Sequence, residues 1–177
     1  YAVWHNRLLS DETGLESAKA FWKDQLSGEI LPLRLPYDHP QIDSSRSSGN
    51  PGAGYRLVIP ANVTRELHAM AREHKASLFM VLLSGFIRIW HEITGQTNIL
   101  LGIPGAGRPH EDLEKIIGLF VNTLIVKTYV ERGESFYTLL DRVRKNLVQV
   151  LEHQDFPLEL ICKELKIKYP GIRVFFN

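Results

Sequence analysis

Ile117-Gly118-Leu119-Phe120-Val121-Asn122-Thr123-Leu124 is the stretch from which the fold is read, and it continues through Ile125, Val126, Lys127 and Thr128. After Gly118 the run is rich in β-branched and aromatic residues, the composition of a strand. Its apolar character is almost unbroken, which predicts a strand covered on both sides. Asn122 is the exception. A buried amide costs about 1–3 kcal/mol unless its hydrogen bonds are made, so Asn122 either braces a neighbouring backbone or lines a substrate passage. Period-two alternation places Phe120, Asn122 and Leu124 on one strand face.

The rest of the 177 residues bounds what such a strand can belong to. The length suffices for one domain with a real core. The formal net charge is +1 and the Lys and Arg residues are scattered, so no bulk electrostatic case exists for nucleic acid or an anionic membrane. The single cysteine, Cys162, excludes an internal disulfide and a multi-cysteine zinc site. It fits a reducing cytoplasm. Tyr1-Ala2-Val3-Trp4-His5 carries no signal pattern. The longest apolar run, Leu78 to Trp90, is too short to span a bilayer and contains Ser84, Gly85 and Arg88. A soluble protein is expected.

Outward from the central strand, the periodicities predict an α/β domain. Leu15, Ala18, Phe21, Trp22 and Leu26 fall near one face of a helix that Gly28 stops. Pro32, Pro36, Pro40 and Pro51 then break regular structure. This stretch reads as a surface connector, with Ser44 to Asn50 mobile. Tyr55 to Ile59 alternates like a strand, and Asn62 is a candidate N-cap for a helix through Val63, Leu67, Met70 and His74. Ser77 caps Leu78 to Ile93, apolar on nearly every side and hence a buried helix. Asn98 to Ile103 reads as a second buried strand. A helix carrying Phe136, Leu139, Leu140, Val143, Leu147, Val150 and Leu151 on one face starts at Ser135. Asp155 can cap a short helix from Leu158 to Leu165, with Pro157 tolerated in its first turn. Inside it, Cys162 reads as a small core residue. The end of the chain, through Phe175 and Phe176, reads as a last strand.

Ile117-Gly118-Leu119-Phe120-Val121-Asn122-Thr123 resembles the I-G-x-F-V-N-T motif of condensation domains from nonribosomal peptide synthetases. His153-Gln154-Asp155-Phe156-Pro157-Leu158-Glu159 resembles their H-Q-D-Y-P-F-E motif, with Phe156 and Leu158 as apolar departures. Tyr1-Ala2-Val3-Trp4 resembles the end of Y-x-D-Y-A-V-W, and Phe21-Trp22-Lys23-Asp24-Gln25-Leu26 resembles Y-W-x-x-x-L. Leu33-Arg34-Leu35-Pro36-Tyr37-Asp38-His39-Pro40 resembles the L-x-L-P-x-D-x-P linker. The glycine-rich segment ending in Gly107-Arg108 resembles the family's G-R segment, with Asn98 in place of the usual Asp. It is no phosphate loop, because the Gly-Lys-Ser/Thr ending is absent. By residue chemistry alone, Arg108 serves to fork onto a backbone or carboxylate.

The resemblance implies an open mixed sheet packed with helices. This is the C-terminal lobe of the chloramphenicol-acetyltransferase-like, CoA-dependent acyltransferase architecture. Residues 1–177 would form a partial condensation domain: residues 1–54 a leading helix and proline-rich connector, residues 55–177 the α/β core. It implies peptide-bond formation between a donor thioester and an aminoacyl acceptor, both delivered on the phosphopantetheine arms of peptidyl carrier proteins. No cofactor would be bound directly. Gly118, Phe120, Asn122 and Thr123 would line the tunnel. Trp4, Arg108, His153, Gln154 and Asp155 would belong to structural motifs. The family's catalytic H-H-x-x-x-D-G is absent, as are H-E-x-x-H and G-x-S-x-G. It lies upstream of Y-x-D-Y-A-V-W, so the chain is expected to start just beyond it. No catalytic residue is therefore expected in this chain. The fragment alone should be inactive, with the N-terminal lobe of the same synthetase as its partner and a tendency to self-associate. Heterocyclisation domains stay open, whereas Phe120-Val121-Asn122-Thr123 speaks against epimerisation domains. The alternatives are an acyltransferase lobe completed by another chain, or a non-catalytic docking or scaffold module for carrier proteins.

Overall fold

The computed structural model describes residues 3, 6–7, 10, 12–28, 30–37, 52–108, 110–164 and 172–177. Trp4, and the Ser44 to Asn50 stretch read as mobile, lie outside them. The described elements are α1 (Glu12–Gln25), α2 (Ala61–Glu73), α3 (Leu78–Thr94), β1 (Asn98–Gly105), a 3-10 turn (Glu111–Leu113), β2 (Asn122–Tyr129), α4 (Phe136–Glu152) and α5 (Leu158–Glu164).

β1 and β2 pair antiparallel, from Asn98 opposite Tyr129 to Gly105 opposite Asn122. Consecutive residues are buried in both strands: Ile99, Leu100 and Leu101 in β1, Leu124, Ile125 and Val126 in β2. Both faces of the pair are therefore covered, as the unbroken apolar run requires. The segment 172–177 adds to the outer edge of β1 through a single parallel bridge, Gly102 to Phe175. There the Gly102 N–H donates to Val174 O (3.0 Å) and the Phe176 N–H to Gly102 O (2.9 Å). Gly102 suits this crossing because a Cβ would run into the Phe175 ring. Among the described residues the sheet is thus a small antiparallel pair rather than an open mixed sheet, with one isolated parallel bridge beside it.

α4 buries Leu139, Leu140, Val143, Leu147 and Val150, each stabilising by roughly 1.5–3 kcal/mol relative to exposure. Its N-cap is Ser135, whose Oγ accepts from the Thr138 N–H at 3.1 Å. Ser77 caps α3 in the same way, accepting from the Met80 N–H at 3.2 Å. The Gly95 left-handed cap closes α3. α1 sends Trp22 into the main core, and Leu26, just past its end, follows it. Its Gln25 Nε2 donates to Asn146 Oδ1 (2.8 Å), and Asn146 Nδ2 donates to Lys127 O (2.9 Å). These bonds tie α1, α4 and β2 together. Among the described residues no single helix is long and apolar enough to cross a membrane.

Four expectations are corrected. Residues 117–121 are not strand, and Ile117, Leu119 and Val121 are exposed; β2 begins only at Asn122, where pairing with Gly105 begins. Tyr55 to Ile59 pairs with nothing among the described residues and exposes its apolar side chains, Tyr55 at 91 %. Alternation alone made it look like a strand; a strand also needs a neighbour. α2 begins at Ala61 with Pro60 as its N-cap and no side-chain cap bond, so Asn62 sits within the first turn. α3 is not buried all round, since Ile89 and Ile93 are exposed.

Candidate functional site

At the Gly105–Asn122 end of the strand pair the chain makes two close approaches. β1 leaves through Gly107, whose φ is +62°, and a Cβ there would overlap the Phe120 carbonyl. Only glycine lets these two backbones meet. Arg108 follows, and its guanidinium lies 4.0 Å over the Phe120 ring, a cation–π contact. The same side chain donates to Leu113 O in the 3-10 turn. A Cβ on Gly118 would stand 3.1 Å from the Phe120 ring. Phe120 is thereby held in place and buried although its neighbours Leu119 and Val121 are not.

Asn122, the first residue of β2, reaches across to the turn that follows α4. Its Nδ2 donates to Gln154 O at 2.8 Å and to Phe156 O at 3.1 Å. The strand amide therefore has its bonds, and they go to backbone, as the bracing role requires. His153 ends α4. Its Nδ1 lies 2.9 Å from Gln149 O, and its ring stacks on Phe21 at 4.2 Å between centroids. Trp22 Nε1 donates to His153 O at 3.4 Å. His153 is thus committed to the join between α1 and α4. His74 and His91 are half-buried and lie away from this end: His74 stacks on Tyr137, and His91 Nδ1 meets Gln96 O at 2.8 Å.

Between the two segments lies an open cavity of about 330 Å³, lined by Gly107, by Leu119 to Thr123, and by Gln154, Asp155, Pro157, Leu158 and Glu159. The FVNT and HQDFPLE segments, about thirty residues apart in sequence, form its two sides. Phe120, Asn122, Thr123, Gln154 and Asp155 are brought together here. Gly118 abuts Phe120 without lining the cavity, Arg108 stands behind Phe120, and His153 points to α1. The groups offered are amide, hydroxyl and carboxylate beside apolar side chains, and among the described residues no histidine lines the cavity. Such a surface can orient a ligand, and the groups in it able to take a proton are the Asp155 and Glu159 carboxylates rather than a histidine, the commonest agent of proton transfer. Among the described residues no cluster of His, Cys, Asp and Glu could hold a metal ion. Burial, with the neighbouring Glu159 charge, pushes the Cys162 thiol up, away from the thiolate a nucleophile needs.

Gly107, Leu119, Val121, Pro157, Leu158 and Glu159 were not singled out from sequence as site residues. The glycine entered only as part of the glycine-rich segment before Arg108, and the last three lie inside the second motif, which alone could have flagged them.

The condensation-domain family model matches residues 1–172. Surfactin synthase subunit 1 of Bacillus subtilis (strain 168) is 36 % identical over 167 residues, 94 % of this chain and 4 % of the relative. Bacitracin synthase 1 of Bacillus licheniformis is 34 % identical over 95 % of this chain and 3 % of the relative. The chain thus spans only a few per cent of the length of these curated relatives. Among solved structures, the X-domain from teicoplanin biosynthesis superposes with a TM-score of 0.82 at 24 % identity, over 99 % of this chain and 40 % of that one. The first condensation domain of the calcium-dependent antibiotic synthetase, in complex with a substrate analogue, gives 0.72 at 22 %, over 92 % and 34 %. At these identities the structural likeness speaks for the fold alone, while the family match and the relatives above 30 % identity speak for descent. The chain belongs to the condensation-domain family.

Proposed function

We propose that this chain is the C-terminal lobe of a nonribosomal peptide synthetase condensation domain, of the chloramphenicol-acetyltransferase-like architecture. Its FVNT–HQDFP cavity would be part of the wall of the condensation tunnel. The observation that carries the reading is the joining of the two family motifs around one cavity by the Asn122 amide. In the reaction, the amine of a carrier-bound acceptor attacks the thioester carbonyl of a carrier-bound donor. The C–N bond forms, the C–S bond breaks, and the donor phosphopantetheine leaves as a thiol. Phe120, Asn122 and Thr123 orient the arms, and Gly118 acts only by abutting the Phe120 ring. Proton handling falls to the histidine motif of an N-terminal lobe, which this chain does not contain. The partners are that lobe and the peptidyl carrier proteins, in the cytoplasm, and the chain binds no cofactor of its own.

Two experiments test this. The chain alone, incubated with both loaded carriers and followed by mass spectrometry, should give no product above the carrier-only control. In the synthetase carrying the chain, Val121→Trp should fill the cavity from an exposed position without touching the core. Its condensation rate should fall while its melting temperature stays. Normal condensation by that variant would refute the tunnel reading.

A further inference from the structure

The turn from His153 to Pro157 is gripped from two sides by elements distant in sequence. From β2, Asn122 spends its amide on the carbonyls of Gln154 and Phe156. From α1, the Trp22 indole donates to His153 O, and Phe21 stacks on the His153 ring. Trp22 is itself 1 % exposed, so the indole holds its place firmly. Three of the first four carbonyls of this turn are thus taken by side chains from outside it. The same turn places Gln154 and Asp155 along the cavity and leads into Pro157, Leu158 and Glu159 on its rim. α1 does not itself line the cavity.

We infer that Trp22 and Asn122 are positioning residues that clamp the His153–Pro157 turn between them and so set the shape of one side of the cavity. The leading helix, which packs against α5 as well, then has a task beyond covering the core: it holds a wall that its own residues never reach. A turn released on one side keeps its chain path but samples more conformations, and small misplacements in a site that aligns two reactants cost rate steeply. This inference rests on the proposed function only for its kinetic consequence; the clamp itself is a statement about the turn.

The test uses the synthetase carrying this chain, with Trp22→Phe, which removes the indole N–H and keeps an aromatic ring, and Asn122→Ala. Gln25→Ala is the control, because it loosens α1 from Asn146 without touching the turn. Hydrogen exchange is read by mass spectrometry on the peptide spanning 150–160. Single-turnover condensation is read at several carrier concentrations, well below the melting temperature. Exchange in the peptide should rise about three- to fivefold for Trp22→Phe, whose bond is long, and about tenfold or more for Asn122→Ala, which loses two bonds. The rate at saturating carrier should fall in both while the half-saturating concentration stays, because geometry rather than docking is altered. Gln25→Ala should leave exchange in the peptide as it was. Exchange that does not change in either variant, or changes equally in Gln25→Ala, overturns the clamp. Raised exchange with an unchanged rate overturns the positioning role. Normal condensation by Val121→Trp, by contrast, would undo the tunnel reading and leave the exchange result standing.

Discussion

Gly107→Ala should be among the most damaging single-methyl additions in the molecule, and the reason can be separated into two parts. The first is conformational. Gly107 has φ +62°, a left-handed geometry that costs a residue bearing a Cβ roughly 1–2 kcal/mol. The second is steric. The new Cβ would overlap the carbonyl carbon and oxygen of Phe120, and this is backbone, with no flexible side chain to swing aside. The Phe120 ring is pinned under Arg108, and two residues later Asn122 is bound to the turn. Moving it is overpacking, typically about 1–3 kcal/mol more. Gly133 provides the comparison: its φ is +79°, yet nothing lies within 4 Å of a Cβ there. Gly133→Ala therefore carries the conformational part alone. Urea denaturation of the two variants, with equal m-values, should show Gly107→Ala losing about 1–3 kcal/mol more than Gly133→Ala. Equal losses would mean that the two backbones do not meet as described, and the account of how the FVNT segment is placed would fall with them.

Gly85→Ala in α3 should stabilise by about 0.5–1 kcal/mol, since a Cβ there meets nothing and alanine is the better helix former; a loss in the same denaturation experiment would mean that the position is crowded. Burial pushes the Glu134 carboxyl up, but hydrogen bonds from Arg142 and the Glu131 N–H and the charges of Arg142 and Arg88 outweigh it and hold the group below its ordinary 4.5. A carboxylate depressed on folding stabilises fully above its unfolded pKa and loses that contribution as pH falls through the folded value. Glu134→Gln should therefore flatten the stability–pH curve below about pH 4.5, and an unchanged slope would refute this. The isolated chain exposes Tyr55, Leu57 and Val58 in one segment and Ile117, Leu119 and Val121 in another, patches of the kind that drive association. Light scattering should show mass rising with concentration; a concentration-independent monomer would contradict it.

The helices were legible because each carries its own signal. The face of α4 and the caps Ser135 and Ser77 are local features, and local hydrogen bonds realise them. The β1–β2 pair was legible for the same reason, its buried residues running consecutively as the apolar composition required. What the sequence could not show was where pairing stops. Leu119 and Val121 are as apolar and strand-forming as Leu124 and Ile125, yet they lie beyond the last paired residue, Asn122, and are exposed. Tyr55 to Ile59 went wrong in the same way. Strand propensity describes a residue's fit to a pleated surface and is silent on whether a neighbour is there. The cavity was half legible. Its two motifs were recognised separately, but their meeting depends on an amide spanning about thirty residues of sequence and on the left-handed turn at Gly107, and neither leaves a periodic trace.

The geometry at Asn122 also limits what a tunnel-lining amide could do. Both acceptors facing its Nδ2 are backbone carbonyls, and a carbonyl cannot bond to the amide oxygen, so the orientation of the side chain is fixed by its partners. Its two N–H groups are matched by two carbonyls, which leaves no donor for a ligand. Any contact with a substrate arm in the cavity must then be made by Oδ1, which only accepts. The bracing and lining roles weighed at the outset are therefore compatible but not independent: bracing consumes the donors, and lining is confined to recognising an N–H or O–H. An ionised Asp, which only accepts, could not replace it, and a Ser or Thr hydroxyl could serve only one of the two carbonyls. Asn is the short side chain that supplies two donors to the turn and keeps an acceptor for the cavity, which accounts for a residue of poor strand propensity standing at the first position of β2.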